Sequence, residues 1–166
     1  MELTLGCVVI ILLIAALLFI SIYLVTIYNR IICYQNIVKY KFEPIEEALN
    51  NYKNIINDLI KLIKDEKLVS ELNVLNNKLS NAKNTNDKVL VIKSINIELN
   101  QIFDTYKNQN INKLRKEYQK NFEKINFAKD IYNNEAGEYN NLLTLFPYNI
   151  ISEFFNMEKF YIIDGE

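Results

Sequence analysis

Between Leu3 and Asn29 the chain carries no charged residue, and this run decides what the rest can be. Residues 5–27 (LGCVVIILLIAALLFISIYLVTI) make a helix of about 35 Å at 1.5 Å per residue, enough to cross a hydrocarbon core of about 30 Å. Tyr23 and Tyr28 stand near its inner end, where an amphipathic ring prefers the headgroup region. A cleaved signal peptide has a basic start, a shorter apolar stretch and small residues at its cleavage site. Here the run opens on Met-Glu and ends on bulky residues. No apolar stretch precedes Gly6-Cys7, so a lipoprotein site at Cys7 is not expected. We therefore expect residues 1–29 to form a short N-terminus and an uncleaved transmembrane anchor, rather than a signal peptide or a buried core helix.

Orientation follows from the flanking cations. None precedes the run, whereas Arg30, Lys39 and Lys41 follow it. The positive-inside rule counts Lys and Arg and not net charge, so Glu43, Glu46 and Glu47 do not cancel them. The expectation is an N-terminus outside and a C-terminal domain in the cytoplasm. All 19 basic residues lie after Asn29, and the 20 acidic residues less Glu2 leave 19 beside them. A nucleic-acid partner requires a basic excess to displace counterions, so none is expected. Cys7 and Cys33 would lie about 39 Å apart on one helix, beyond disulfide reach.

Beyond the anchor the scarcity of turn formers (3 Gly, 2 Pro) points to long helices. Four apolar stripes step by three and four residues. The first is Ile45, Leu49, Tyr52, Ile56, Leu59 and Ile63; the second is Leu68, Leu72, Leu75, Leu79 and Ala82. The third is Val89, Ile92, Leu99, Ile102 and Tyr106, with Asn96 in one apolar slot. The longest takes Ile111, Leu114, Tyr118, Phe122, Ile125, Ala128, Tyr132, Ala136, Tyr139, Leu143 and Phe146. Polar clusters at 65–67, 84–87 and 108–110 separate them. Asp87 is expected to cap the third helix, and Pro147 to end the fourth. Pro44 is expected to kink the first helix or divide it from the anchor, and Gly137 to weaken the fourth locally. The fold class expected is all-α: an N-terminal transmembrane helix followed by an antiparallel four-helix bundle over residues 30–147.

The fourth stripe holds a repeated pair, Tyr132-Asn133 and Tyr139-Asn140, followed by Phe146-Pro147-Tyr148-Asn149. With Ala128 and Ala136 between aromatic positions, this stretch resembles the C-terminal signature of the LemA family. The anchor running into Tyr28-Asn29, and then Ile45, Leu49, Ile55, Ile56 and Leu59, is similar at the other end. Residues of about 64–115 agree only as helices. The family's Arg-Arg-Tyr-Asp run corresponds here to Asn51-Tyr52-Lys53-Asn54, and its Pro-Asn to Asn57-Asp58. The resemblance implies a bacterial membrane-anchored four-helix bundle, and it implies no enzymatic activity.

The residues themselves point the same way on chemistry. With no His in the chain, Ser-His-Asp, Cys-His and zinc-His arrangements are excluded. Glu43, Glu46 and Glu47 make a charged turn of the kind that usually faces solvent, and a di-iron bundle site wants Glu-x-x-His pairs. Three glycines make no phosphate loop. No cofactor, metal or small-molecule substrate is implied, and an enzyme survives only as a hydrolase built on carboxylates. Tyr132 and Tyr139 are two turns apart on one face, with Asn133 and Asn140 beside them. Core completion is the first expectation for this set, with the amides bonding a neighbouring helix or water. A polar ledge that recognises a partner helix or peptide is the second. Residues 148–166 form an apolar tail with Ile150, Phe154, Phe155 and Phe160 among them; it is expected near the membrane, packed on the first helix in preference to lying in the lipid interface. The function expected is a structural or protein-interaction module, with the lipid bilayer and a protein partner or a homo-oligomer as its contacts. A transmembrane sensor or accessory subunit of a signalling or transport complex is the alternative.

Overall fold

The computed structural model describes residues 2–163, with side chains from Leu5 onward. Among these, five helices and no strand occur: α1 (Glu2–Leu62), α2 (Glu66–Asn81), α3 (Thr85–Thr105), α4 (Gln109–Leu142) and α5 (Tyr148–Phe154).

α1 is one helix of 61 residues in two environments. Its large apolar side chains from Leu5 to Val25 are all exposed, and burial begins at Ile27 and Ile31. Within the exposed part, Ser21 and Thr26 direct their hydroxyls to the carbonyls of Leu17 and Ile22, each at 2.8 Å. Those polar groups are thereby satisfied inside the helix, as lipid surroundings would require. This helix is long and apolar enough to cross a membrane.

The expected division at Pro44 is absent, because α1 runs through it unbroken. Pro44 itself is exposed, while Phe42, Ile45, Ala48 and Leu49 beside it are buried. Packing of this face outweighs the one backbone bond a proline removes.

α1 packs most extensively on α4 and also touches α2, α3 and α5. Residue pairs give the register: Phe42 meets Tyr132 edge-on, Glu47 pairs with Lys124, Asn51 bonds Asn121, and Tyr52 stacks on Tyr118. α2 joins through Asn76 to Asn57, and α3 through Lys88 to Glu46 and through Asn96, which accepts from the Tyr52 hydroxyl. All six residues of the first stripe are buried.

The ends of the helices need several corrections. Asp65 caps α2 by accepting from Lys67 and Leu68 N–H. α3 is capped by Asn84, which accepts from the Asp87 N–H; Asp87 lies inside the first turn and reaches back to the Lys83 N–H. α4 starts under Asn108, which accepts from Ile111 N–H, and ends at Leu142, ahead of Pro147. There the Thr144 hydroxyl bonds the Asn141 carbonyl at 2.7 Å, and the backbone tightens to i,i+3 bonds, so the helix unwinds before the proline is reached. In the middle of α4 the buried residue is Asn121, and Phe122 is only partly covered.

α5 was not foreseen. It follows Pro147 and stops in a Schellman turn: Met157 N–H bonds the Ser152 carbonyl and Asn156 N–H the Glu153 carbonyl, with Asn156 at φ 50°. Asparagine tolerates that left-handed backbone. The turn sends residues 157–163 back along the helical body.

Candidate functional site

Among the described residues the Tyr-Asn repeat of α4 carries a dense cluster of side-chain hydrogen bonds, and its ligand is the chain's own tail. Asn140 holds Phe160 at both backbone groups, donating to its carbonyl at 2.8 Å and accepting from its N–H at 2.9 Å. Asn133 does the same for Ile163, with both bonds at 2.9 Å. Between them the Tyr132 hydroxyl donates to the Tyr161 carbonyl at 2.7 Å. From the opposite side Asn86 accepts from Tyr161 N–H at 2.7 Å and donates to the Lys159 carbonyl at 2.9 Å.

Spacing explains the arrangement. Asn133 and Asn140 are seven helical residues apart, about 10.5 Å along the axis. A nearly extended chain covers about 10 Å in three residues, which is the separation of Phe160 and Ile163. Two amides at this helical interval therefore hold every third residue of an extended strand. The side chains of Phe160 and Ile163 point inward and are buried, and Phe160 meets Tyr139 edge-on at 5.2 Å.

Tyr132 and Tyr139 are fully buried and pack as core, and the amides of Asn133 and Asn140, expected to bond a neighbouring helix or water, bond the chain's own tail. Burial pushes the Tyr132 hydroxyl up to about 12, and it raises Tyr139 for the same reason. A neutral phenol is the form that donates to the Tyr161 carbonyl.

The remaining signature residues lie elsewhere. Phe146 is 79% exposed, so it does not continue the buried stripe. Pro147 occupies the position before α5, and Asn149 lies in its first turn, both half-buried. These three form the corner between α4 and α5, next to the point where α1 leaves the helical body. Ring contacts fix that position: Phe155 packs on Tyr28 at 4.8 Å between centroids, and the Arg30 guanidinium sits over Tyr148 at 5.7 Å.

Beside the tail, α3 and α4 touch each other little and leave a cleft of about 960 Å³. Leu90, Ile97 and Phe122 give it apolar walls, Lys93 and Lys129 stand at its rim, and residues 159–163 close one side. Among the described residues no group of three or more His, Cys, Asp or Glu side chains is placed to hold a metal ion. Asn86 is the site residue that sequence reasoning missed, since nothing distinguishes it from its neighbours in the polar cluster at 84–87. No family model, curated protein or solved structure matches this chain.

Proposed function

We propose that this is a non-enzymatic, single-pass protein of a bacterial cell membrane, its N-terminus outside and its helical body in the cytoplasm, serving as a structural or protein-interaction module. The observation that carries the reading is the change of environment along α1, which passes from exposed apolar residues to a buried core within one turn at Ile27. A run of that hydrophobicity is costly to leave in water, and lipid would cover it. The first cations after it, Arg30, Lys39 and Lys41, support the cytoplasmic side for the body. We read α1 from Ile31 onward together with α2, α3 and α4 as an antiparallel four-helix bundle. Paired residues on α1 and α4 whose numbers rise on one helix and fall on the other support it. The likeness of Tyr132-Asn133, Tyr139-Asn140 and Phe146-Pro147 to the LemA signature agrees with such a bundle.

The partner surface in this reading is the cleft between α3 and α4, whose exposed Leu90 and Ile97 offer apolar contact to a partner's helix or to a second copy. A photo-crosslinking side chain at Ile97, introduced into the full-length protein in native membranes, tests it. One stoichiometric protein adduct is expected, and the absence of any adduct would contradict an interaction role for the cleft. A second reading, a sensor or accessory subunit, is favoured by the unbroken passage of α1 from its exposed segment into the body at Ile27. It predicts an adduct that changes with conditions outside the cell.

A further inference from the structure

Five large apolar side chains crowd the corner between α4 and α5: Leu145, Phe146, Ile150, Phe154 and Phe155 are all about half exposed or more, with Phe154 at 77%. Elsewhere on the body exposed apolar residues occur in smaller groups, as Leu90 and Ile97 do at the α3–α4 cleft. A dense patch needs a cover. We propose that this corner is an interfacial foot that sinks Phe146, Ile150 and Phe154 into the headgroup–acyl boundary of the same bilayer that α1 crosses. The inference rests on the anchor reading of α1 and adds a second, independent membrane contact to it.

Position is the first argument. The 22 residues from Leu5 to Thr26 span about 33 Å as a helix, against about 30 Å of hydrocarbon. The inner boundary therefore falls within about a turn of Thr26, and the body closes around α1 at Ile27. Phe155 packs on Tyr28 with the rings tilted, Phe154 packs edge-on against Phe155 at 5.0 Å, and Tyr148 lies under Arg30. The patch is thus continuous with the exposed apolar surface of α1 at the depth where lipid headgroups begin. The Schellman turn is the second argument, because it reverses the chain immediately after Phe155 and lifts residues 157–163 away from that level. The α4–α5 corner and α5 are left at the boundary, with α5 packed on α1 and Phe146, Ile150 and Phe154 uncovered.

Charge selects the kind of surface. α5 and its flanking corner, residues 145–155, contain Glu153 and no Lys or Arg, and Arg30, seated over Tyr148, balances that one acid, so the corner has no net charge to draw it to anionic lipid. Recognition is by apolar insertion, and a zwitterionic bilayer serves as well as an anionic one.

The chain has no Trp, so single reporters can be placed in the full-length protein reconstituted in phosphatidylcholine vesicles. Phe154→Trp and Phe146→Trp report the foot, Phe19→Trp the anchor, and Phe127→Trp, 80% exposed on α4, the body. Lipids brominated near the glycerol should quench Trp at 146 and 154 more than lipids brominated near the chain end. The order should reverse for Trp at 19, and Trp at 127 should keep its emission. Replacing part of the phosphatidylcholine by phosphatidylglycerol should leave the quenching at 146 and 154 unchanged. Quenching at 19 with water-like, unquenched emission at both 146 and 154 overturns the foot and leaves the anchor standing. Absence of quenching at 19 overturns both. Quenching at 146 and 154 only when phosphatidylglycerol is present overturns the apolar mode of recognition.

Discussion

Removing the side chain of Asn140 strands two backbone groups at once, the N–H and the carbonyl of Phe160. Leaving such groups without partners costs about 1–3 kcal/mol, and the tail should detach before the helices melt. Asn140→Ala is therefore expected to speed hydrogen exchange at the Phe160 amide sharply, whereas Asn126→Ala, which bonds nothing in the tail, should leave it unchanged. Tyr132 adds a pH dependence. Its hydroxyl titrates near 10 when unfolded and is raised to about 12 by burial, so the stability it contributes is whole below pH 10 and is lost as the pH rises toward 12. Loss of stability between pH 10 and 12 should be shallower in Tyr132→Phe than in the native protein, measured by denaturant unfolding at each pH; equal slopes would mean the phenol does not matter. The repeat was visible in the sequence and its ligand was not, because the ligand is backbone, which leaves no mark in the order of residues. Asn121 was misread for a different reason. Steps of three and four from Tyr118 to Ile125 pass equally through 121 or 122; hydrophobicity favours Phe122, and only the amide of Asn51 across the interface, at 3.2 Å, selects Asn121.

The helices were legible as elements because every stripe had the helical period, and their ends were not. End positions depend on which polar side chain reaches a free N–H or carbonyl, as Asn84 does in place of Asp87 and as Thr144 does ahead of Pro147. α5 escaped notice because seven residues show too little periodicity to separate a helix from an apolar tail. Two substitutions test the strain that these helices carry. Gly137 lies exposed inside α4 with open space where a Cβ would project, so Gly137→Ala should raise stability by about 0.5–1 kcal/mol. Pro44→Ala restores an N–H to α1 at an exposed position and should stabilise by up to about 3 kcal/mol. A fall in the unfolding midpoint for either variant would show that the native residue stabilises the helix there. Leu143 is buried and Asn141 exposed. Leu143→Asp should cost several kcal/mol by burying an unpaired carboxylate, while Asn141→Asp should melt like the native protein.

For the whole molecule, the proposal is that α1 fixes both where the protein lives and how its body sits. Residues 5–26 would fill the hydrocarbon, the four helices would stand on its cytoplasmic side, and the α4–α5 corner would return to the same surface. The length of the apolar run made a helix of membrane-crossing length legible from sequence alone; the level at which the body meets it was not, since that depends on where burial starts. Cysteine chemistry puts the crossing to the test, because Cys7 and Cys33 are both exposed thiols and single-cysteine proteins are easily made. In a Cys7→Ser background Cys33 alone remains, and in a Cys7→Ser, Cys33→Ser background Glu2→Cys places the only thiol at the other end of the apolar run. With a membrane-impermeant maleimide on intact cells, Glu2→Cys should be labelled and Cys33 should not, and Cys33 should label once the membrane is permeabilised. Labelling of both positions before permeabilisation, or of neither, would contradict a membrane-crossing α1.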